Sequence, residues 1–232
     1  MLSEKVLNRR AWKPKLYEKL TKNSILKVLV PYIPRDKIVL DVGGNTGYHC
    51  HFFSEHAKHV YTYEPVPELH TVQKSNMTNK NISFRNMAVG NKVTSIDLYV
   101  DVRRLSMTSQ IPLVESEKIS VPMTRLDSEH HQNIGFIKID VEGFELDVLR
   151  GAQQLITTQT PNCMVEIYKP WADKTGGSVR EVFEWFDDKP YSCFYYDSEK
   201  QYLVEVTSID HGEEVVNTLH HLHDGDFLFL GE

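Results

Sequence analysis

The sequence has no long apolar run and no excess of basic residues. No stretch reaches the roughly 18 consecutive apolar residues that a membrane span requires, and the polar, basic segment 1–15 lacks the apolar centre of a secretory signal. With 26 basic and 32 acidic residues, the formal net charge is −6. This balance argues against nucleic acid as the partner, because proteins that bind nucleic acid usually present a basic face.

Cysteine is also scarce. Cys50, Cys163 and Cys193 are odd in number and lack the spacing of metal ligands. We therefore expect reduced thiols and a cytoplasmic protein. The remaining composition, 41% hydrophobic and 25% charged over 232 residues, is that of an ordinary soluble globular protein with one well-buried domain.

The order of apolar and polar residues predicts an α/β fold. Residues 1–36 are predicted to form a short helical lead-in, and residues 37–232 one domain in which short apolar strands alternate with helices. The predicted strands are 37–42, 59–64, 82–89, 136–140, 162–168, 191–197 and 226–231, and the predicted helices are 46–56, 67–77, 144–158 and 179–188. Because no helix is predicted between the last two strands, we expect a Rossmann-like, seven-stranded, mostly parallel sheet with an antiparallel edge and helices on both faces.

The segment "VLDVGGNTGYHCHFF" has the pattern strand, glycine-rich turn, helix. Gly43, Gly44 and Gly47 allow a tight turn and close approach of a ligand, and the helix that follows presents free backbone amides. The dinucleotide spacing G-x-G-x-x-G would need glycines where Asn45 and Tyr48 stand, so a dehydrogenase is disfavoured. The turn instead resembles the D-x-G-x-G-x-G loop of S-adenosylmethionine (SAM) methyltransferases, with Asn45 in place of the middle glycine.

Acidic residues lie at or near the ends of three predicted strands. Glu64 follows the turn by about 20 residues, where a carboxylate accepts both ribose hydroxyls of a nucleoside cofactor. Asp140 ends the fourth strand and Glu166 lies towards the end of the fifth, and ligands of open α/β sheets bind at these carboxyl ends. We therefore predict that both acids face the transferred group. Lys138 shares a strand face with Asp140 and is expected to neutralise it.

With these features in place, "FIKIDVEGFELDVLRGA" closely resembles the K-x-D-V-E-G-x-E segment of the FkbM-type methyltransferase family. "DVGGNTG", "YTYEPVPE", "NMAVGNK" and "TRLDSE" follow that family's order around it, so the resemblance spans roughly residues 37–170. It implies a class I SAM-dependent methyltransferase fold. It also implies methyl transfer to a hydroxyl oxygen of a carbohydrate or glycosylated product.

The resemblance further implies the cofactor-binding residues. The motif positions expected to cradle the methionine part of SAM are Asp41, Gly43, Asn45, Thr46 and Gly47. Glu64 is expected to hold the ribose. The residues expected to border the adenine are Asn86, Met87 and Ala88, although "NMAV" is equally the end of a plain strand.

Asp140, Glu166 and Lys138 are the candidate catalytic residues. A hydroxyl group at neutral pH needs a base or a metal to become a good nucleophile. Catechol-type O-methyltransferases resemble this chain in the acids that end the same two strands, but their lysine base is replaced here by Gly143. One hypothesis is that the carboxylates, or another residue, act as the base. The other is that Asp140 and Glu166 bind a divalent cation, Mg²⁺ or Mn²⁺.

The candidates for binding the acceptor lie at the end of the fifth predicted strand and just beyond it. They are Trp171, Tyr168 and Lys169. An aromatic ring there suits stacking on a sugar, and burial of that ring is the alternative. Arg103, Arg104 and the "SMTSQ" run are candidates for a flexible cap over the site, and a solvated loop is the alternative. The alternative functions are RNA or DNA methylation, which the acidic balance and the absence of an N-P-P-Y-type segment disfavour, and an inactive cofactor-binding module in a glycan-building complex.

Overall fold

A computed structural model of the protein describes residues 25–101, 108–109, 116–197, 199–218 and 225–232. Most of the predicted lead-in, together with Arg103 and Arg104, lies outside these residues. The part of the lead-in that is described contains a short helix, α1 (Leu26–Leu29), and a 3₁₀ turn, Val30–Tyr32, with Pro31 in its first turn. Among the described residues, no helix has both the length and the apolar character needed to cross a bilayer.

The described strands form two sheets. In chain order they are β1 (Ile38–Val42), β2 (His59–Tyr63), β3 (Ile82–Arg85), β4 (Ala88–Val89), β5 (Thr94–Asp101), β6 (Thr108–Ser109), β7 (Ser116–Thr124), β8 (Ile134–Ile139), β9 (Asn162–Glu166), β10 (Tyr191–Asp197), β11 (Tyr202–Val206) and β12 (Asp226–Gly231). The main sheet has the order β11-β10-β12-β9-β8-β1-β2-β3, and the smaller sheet has the order β4-β7-β5-β6.

Helices connect the strands of the main sheet. They are α2 (Tyr48–His56), α3 (Pro67–Asn76), α4 (Glu145–Gly151), α5 (Gln153–Gln159), α6 (Lys169–Thr175), α7 (Val179–Asp187) and α8 (Ile209–Thr218), with a 3₁₀ turn at Leu126–Glu129. One core cluster packs residues of α4, α5, α7 and α8 against one face of the sheet, and a second packs α1 and α2 against the other. Helices therefore cover both faces, as predicted.

The mostly parallel sheet with an antiparallel edge is confirmed. Strands β3, β2, β1, β8 and β9 pair in parallel, whereas β12, β10 and β11 pair antiparallel. The sheet has eight strands rather than seven, because β11 returns beside β10. The expectation that no helix separates the terminal strands is wrong, since α8 lies between β11 and β12.

Two predicted elements are each divided in the structure. The predicted strand 82–89 becomes β3 and β4, because the chain leaves the main sheet at Asn86 and β4 then pairs with β7. The Asn86 side chain fixes this turn: its Nδ2 donates to the backbone oxygens of Glu64 at 2.8 Å and Pro65 at 3.0 Å. The predicted helix 144–158 is divided at Ala152 into α4 and α5.

The central strands are buried on both faces, which explains their continuous apolar runs. All six residues of β8 are buried, including Lys138, whose 2% exposure is unusual for a lysine. Next to β8 lies β1, with Asp41 in register with Lys138. A buried lysine beside a buried aspartate satisfies the requirement that buried charges be paired. The fold thereby brings charged groups to the centre of the sheet, directly below the turn that follows β1.

Candidate active site

The glycine-rich turn follows β1 and lies against the end of β8. The backbone amides of Gly43 and Gly44 both donate to the backbone oxygen of Tyr63, each at 3.0 Å. Gly43 has φ +81°, and Gly47, which precedes α2, has φ +93°. A Cβ atom on Gly43 would lie 1.8 Å from the backbone oxygen of Asp140. Only glycine therefore fits at position 43, where the turn and the end of β8 are in contact.

Glu64 directly follows β2 beside this turn and is 5% exposed. Its Oε2 accepts a hydrogen bond from the Asn45 amide at 2.8 Å, and its Oε1 accepts one from the Val66 amide at 2.8 Å. Burial raises the pKa of Glu64 to about 8, against the lowering effect of these two amides. In the ionised form, each carboxylate oxygen has two acceptor positions, so one on each oxygen remains for a ligand.

A cleft extends from the turn past Glu64 to the loop after β8. Its described lining has a polar part, consisting of Gly43, Asn45, Glu64, Asp140 and Glu142. It also has an apolar part, consisting of Val42, Tyr63, Pro65, Leu69, Met87, Ala88, Val89, Ile96, Leu98, Val141 and Phe144. A largely apolar cleft with a few convergent polar groups is the usual form of a cofactor site.

The apolar part of the cleft contains residues that the sequence reasoning missed. Ile96 and Leu98 come from β5 of the smaller sheet, and Leu69 comes from α3. The alternation of apolar residues in "SIDLYV" was a signal that Ile96 and Leu98 share a strand face. The sequence did not indicate that this face covers the cleft.

The predicted cofactor residues divide into two groups. Those that line the cleft are Gly43, Asn45, Glu64, Met87 and Ala88. Those absent from its lining are Asp41, Thr46, Gly47 and Asn86. Asp41 is completely buried below the turn, where its Oδ2 accepts a hydrogen bond from the Thr62 hydroxyl at 3.2 Å. Asn86 is engaged with the backbone of the chain that follows β2.

The catalytic candidates Asp140 and Lys138 form an ion pair at the end of β8. Lys138 Nζ lies 2.9 Å from Asp140 Oδ2 and 3.7 Å from Asp41 Oδ1, and it donates to the backbone oxygen of Gly43 at 2.8 Å. Burial alone would raise the pKa of Asp140, but the charge and hydrogen bond of Lys138 outweigh it and hold that pKa below its ordinary value. Asp140 is therefore ionised at neutral pH.

Glu166, at the end of β9, is hydrogen-bonded to Asp140. Burial raises the pKa of Glu166 well above its ordinary value, and the negative charges of Asp140 and of Asp226, its register partner on β12, raise it further. Of the two carboxyl groups, Glu166 is therefore the one that favours the protonated form and donates in their hydrogen bond. Two adjacent carboxyl groups that share one proton in this way titrate as a unit.

The acceptor candidates after β9 do not line the cleft. Trp171 is 8% exposed, and Lys174 Nζ lies 4.6 Å from the centroid of its ring. Lys169 forms an exposed ion pair with Asp173 at 2.8 Å, while Tyr168 is half-buried at the start of α6. The structure thus brings Asp140, Glu166 and Lys138 together, and of these six candidates Asp140 is the one that lines the described cleft.

The structure also bears on the hypothesis of a bound cation. Within the described ranges, no group of three or more histidine, cysteine, aspartate or glutamate side chains has the arrangement of a metal site. The two predicted ligands, Asp140 and Glu166, are instead hydrogen-bonded to each other.

Comparison with protein families decides the relationship that the motifs indicated. The family model of the methyltransferase FkbM domain matches residues 41–193, more than half of the chain. The chain belongs to the FkbM methyltransferase family. The resemblance seen in the sequence is thereby confirmed, and the match includes the glycine turn, Glu64 and both carboxyl groups of the candidate site. No curated protein matches the chain in sequence.

Solved structures share the fold of this FkbM-family chain. The methyltransferase FkbM of Methylobacillus flagellatus KT has 13% identity and a TM-score of 0.53, and the match covers 97% of this chain and 57% of that one. A Clostridium thermocellum protein, provisionally described as an rRNA methylase, has 9% identity and a TM-score of 0.50, covering 88% and 90%. A Streptococcus mutans protein in complex with S-adenosylhomocysteine (SAH) has 10% identity and a TM-score of 0.49, covering 88% and 92%.

At such identities, the first two structures show a shared fold alone. The chain spans 57% of the length of the Methylobacillus structure. The acceptor and the chemistry must therefore be argued from the residues of the site.

Proposed function

We propose that this chain transfers a methyl group from SAM to a hydroxyl oxygen of a carbohydrate or glycosylated product. The observation that carries this proposal is the ion pair of Asp140 with Lys138 at 2.9 Å, beside a cleft that Gly43, Glu64 and Asp140 line and next to the carboxyl group of Glu166. Family membership supports methyl transfer, and the carboxyl pair supports a hydroxyl acceptor, which must lose a proton.

The residues present suit SAM. When bound, SAM would supply a methyl group whose bond to a positively charged sulfur breaks as an oxygen nucleophile attacks the methyl carbon, with SAH as the leaving group. The turn at Gly43 lets the backbone approach the methionine part closely, and the free acceptor positions of Glu64 suit the two ribose hydroxyls. Met87, Ile96 and Leu98 provide an apolar wall for the adenine.

The carboxyl pair supplies the base that an alcohol needs. Asp140 is held ionised by Lys138 at 2.9 Å and can accept the hydroxyl proton as the new carbon–oxygen bond forms. Glu166 contributes a proton to its hydrogen bond with Asp140, so the pair carries one negative charge rather than two. We favour a carboxylate base over a bound Mg²⁺ or Mn²⁺, because Lys138 Nζ at 2.9 Å already neutralises the charge of Asp140.

The charge of the cleft supports a neutral acceptor. Of the described residues that line it, Glu64, Asp140 and Glu142 are the acidic ones, and none is lysine, arginine or histidine. Glu64 is largely protonated below pH 8 and Asp140 is paired with Lys138, so the support comes from the lack of a cation in this described lining: the phosphates of RNA need one, whereas an uncharged sugar does not. Carbohydrate is therefore a better match than nucleic acid.

A screen with methyl-labelled SAM tests the proposal. The wild-type chain is incubated separately with oligosaccharides, glycosides and RNA, and formation of SAH and of labelled product is measured. We expect labelled carbohydrate from the wild type and from Asp97→Asn, which alters an exposed aspartate paired with Lys118 outside the site. Label in RNA alone contradicts the carbohydrate acceptor, and SAM binding without turnover in any pool favours the inactive module.

A further inference from the structure

A chain of buried polar side chains runs below the glycine turn and crosses α3, β2, β1 and β8. Gln73 Nε2 donates to Thr62 Oγ1 at 3.3 Å, and Thr62 Oγ1 donates to Asp41 Oδ2 at 3.2 Å. Asp41 Oδ1 lies 3.7 Å from Lys138 Nζ, which binds Asp140 at 2.9 Å. We call Gln73, Thr62, Asp41 and Lys138 the buried polar chain; each is 2% exposed or less.

The buried polar chain touches the turn from below. Lys138 donates to the backbone oxygen of Gly43 at 2.8 Å. A Cβ atom on Gly44 would lie 2.1 Å from Thr62 Oγ1 and 2.3 Å from Gln73 Nε2. The turn therefore rests directly on these polar atoms, and its height above the sheet depends on where they are held.

This arrangement is a costly way to support a turn. Burial of a polar group destabilises the fold unless that group is hydrogen-bonded. Among the described residues, however, Asp41 Oδ1 and Gln73 Oε1 form no hydrogen bond. Apolar side chains would fill the same space without that loss. Hydrogen bonds and an ion pair, unlike apolar contacts, fix distance and direction between the groups they join.

We propose that the buried polar chain is a positioning device that sets the place of the cofactor-binding turn relative to Asp140. One end supports the turn, and the other end holds the carboxylate that accepts the acceptor's proton. Gln73, Thr62 and Asp41 are then positioning residues that contact neither cofactor nor acceptor, since none of them lines the cleft. This inference rests on the proposed function of the site.

Thr62→Val breaks the buried polar chain with the smallest change of shape. Valine suits the strand and keeps the volume, but it removes the hydroxyl that links Gln73 to Asp41. The matched control is Thr71→Val, because among the described residues the Thr71 hydroxyl bonds only to the Pro67 oxygen of its own helix, at 2.8 Å. Thr62→Ser restores a hydroxyl at the original place.

We expect Thr62→Val to weaken SAH binding, measured by calorimetry, by about tenfold. It should also slow methyl transfer to an oligosaccharide mixture at saturating SAM, because small displacements of reacting groups lower rates steeply. Thr62→Ser should recover most of both losses, and Thr71→Val should match the wild type. A support that only stabilised the fold would lower the melting temperature without changing the rate at saturating SAM.

The outcomes separate this inference from the proposed function. A wild type that neither binds SAH nor transfers methyl overturns the proposed function, and this inference with it. A functional wild type that Thr62→Val matches in affinity and rate overturns the positioning role alone, as does failure of Thr62→Ser to recover activity. If Thr62→Val does not fold, Gln73→Met replaces it. We expect this variant to show the same losses of SAH affinity and of rate, and wild-type affinity and rate would contradict the positioning role.

Discussion

Replacement of Gly43 by alanine tests the contact between the turn and the end of β8. The new Cβ would lie 1.8 Å from the backbone oxygen of Asp140, whereas real Cβ atoms essentially never approach within 3.0 Å. The difference, 3.0 − 1.8, requires a displacement of about 1.2 Å between two backbone segments. The positive φ of +81° adds about 1–2 kcal/mol of conformational strain.

A matched control separates the strain from the displacement. Gly176, after α6, has φ +73°, but a Cβ atom there would meet nothing within 4 Å. Gly176→Ala should therefore lose about 1–2 kcal/mol of unfolding free energy and keep its affinity for SAH. Gly43→Ala should lose more stability and, because a misplacement of about 1 Å can cost about 10²-fold, a similar factor in SAH affinity.

The measurements are urea denaturation for stability and isothermal calorimetry for SAH binding, with both variants prepared in parallel. Equal SAH affinity in Gly43→Ala and Gly176→Ala would refute the reasoning, since the turn would then tolerate displacement from the end of β8. Loss of SAH binding in Gly176→Ala would also refute it, because that variant leaves the cleft unchanged.

Three further predictions concern the charged groups of the site. Asp140→Asn should lower kcat by about 10²–10⁴-fold, as loss of a general base does, whereas Asp97→Asn should leave it unchanged; equal rates in the two variants would remove Asp140 from the chemistry. Methyl transfer should persist in excess chelator, and loss of activity that Mg²⁺ or Mn²⁺ restores would establish the metal hypothesis instead. SAH affinity should rise as the pH approaches about 8 and level off above it, because the ribose hydroxyls donate to the ionised form of Glu64. Calorimetry across this pH range should give a flat affinity profile for Glu64→Gln. A flat profile for the wild type would contradict the role of Glu64.

Stability should also depend on pH, and buried glutamates decide whether the unfolding free energy rises or falls as the pH is raised. Burial raises the folded-state pKa of Glu64 to about 8 and that of Glu145 to about 7, from an ordinary 4.5. At any pH above the ordinary pKa of glutamate, the folded state therefore binds more protons than the unfolded state. The unfolding free energy should then fall as the pH rises from about 5 to about 8. Urea denaturation at the two ends of this range checks the sign, and greater stability at the higher pH would contradict it.

Local patterns in the sequence were enough to predict the centre of the fold. The turn at Gly43 and the buried run of β8 are contiguous signals, and both elements lie where the pattern placed them. The pairing of Lys138 with Asp140 followed from their shared strand face. Strand β11 escaped prediction because it is short and half exposed, so that its place depends on pairing with β10.

The remaining features depend on contacts between distant parts of the chain. The break after β3 is fixed by Asn86 binding the backbone at Glu64 and Pro65, which no local pattern reveals. The apolar wall from Ile96 requires the smaller sheet to fold over the cleft. Thr62, which lies between two tyrosines of β2, acquires its importance only from the buried Asp41 and the turn above it.

The most direct test of the central claim is the chemical identity of the methylated product. The wild-type chain and Asp140→Asn are incubated with ¹³C-methyl SAM and the oligosaccharide pool, and the labelled carbon is identified by NMR as a methyl ether, a methylamine or a carbon-bound methyl. We expect a carbohydrate methyl ether from the wild type and almost none from Asp140→Asn. Label on nitrogen or carbon, or equal methyl ether from both proteins, would contradict methyl transfer to a hydroxyl activated by Asp140.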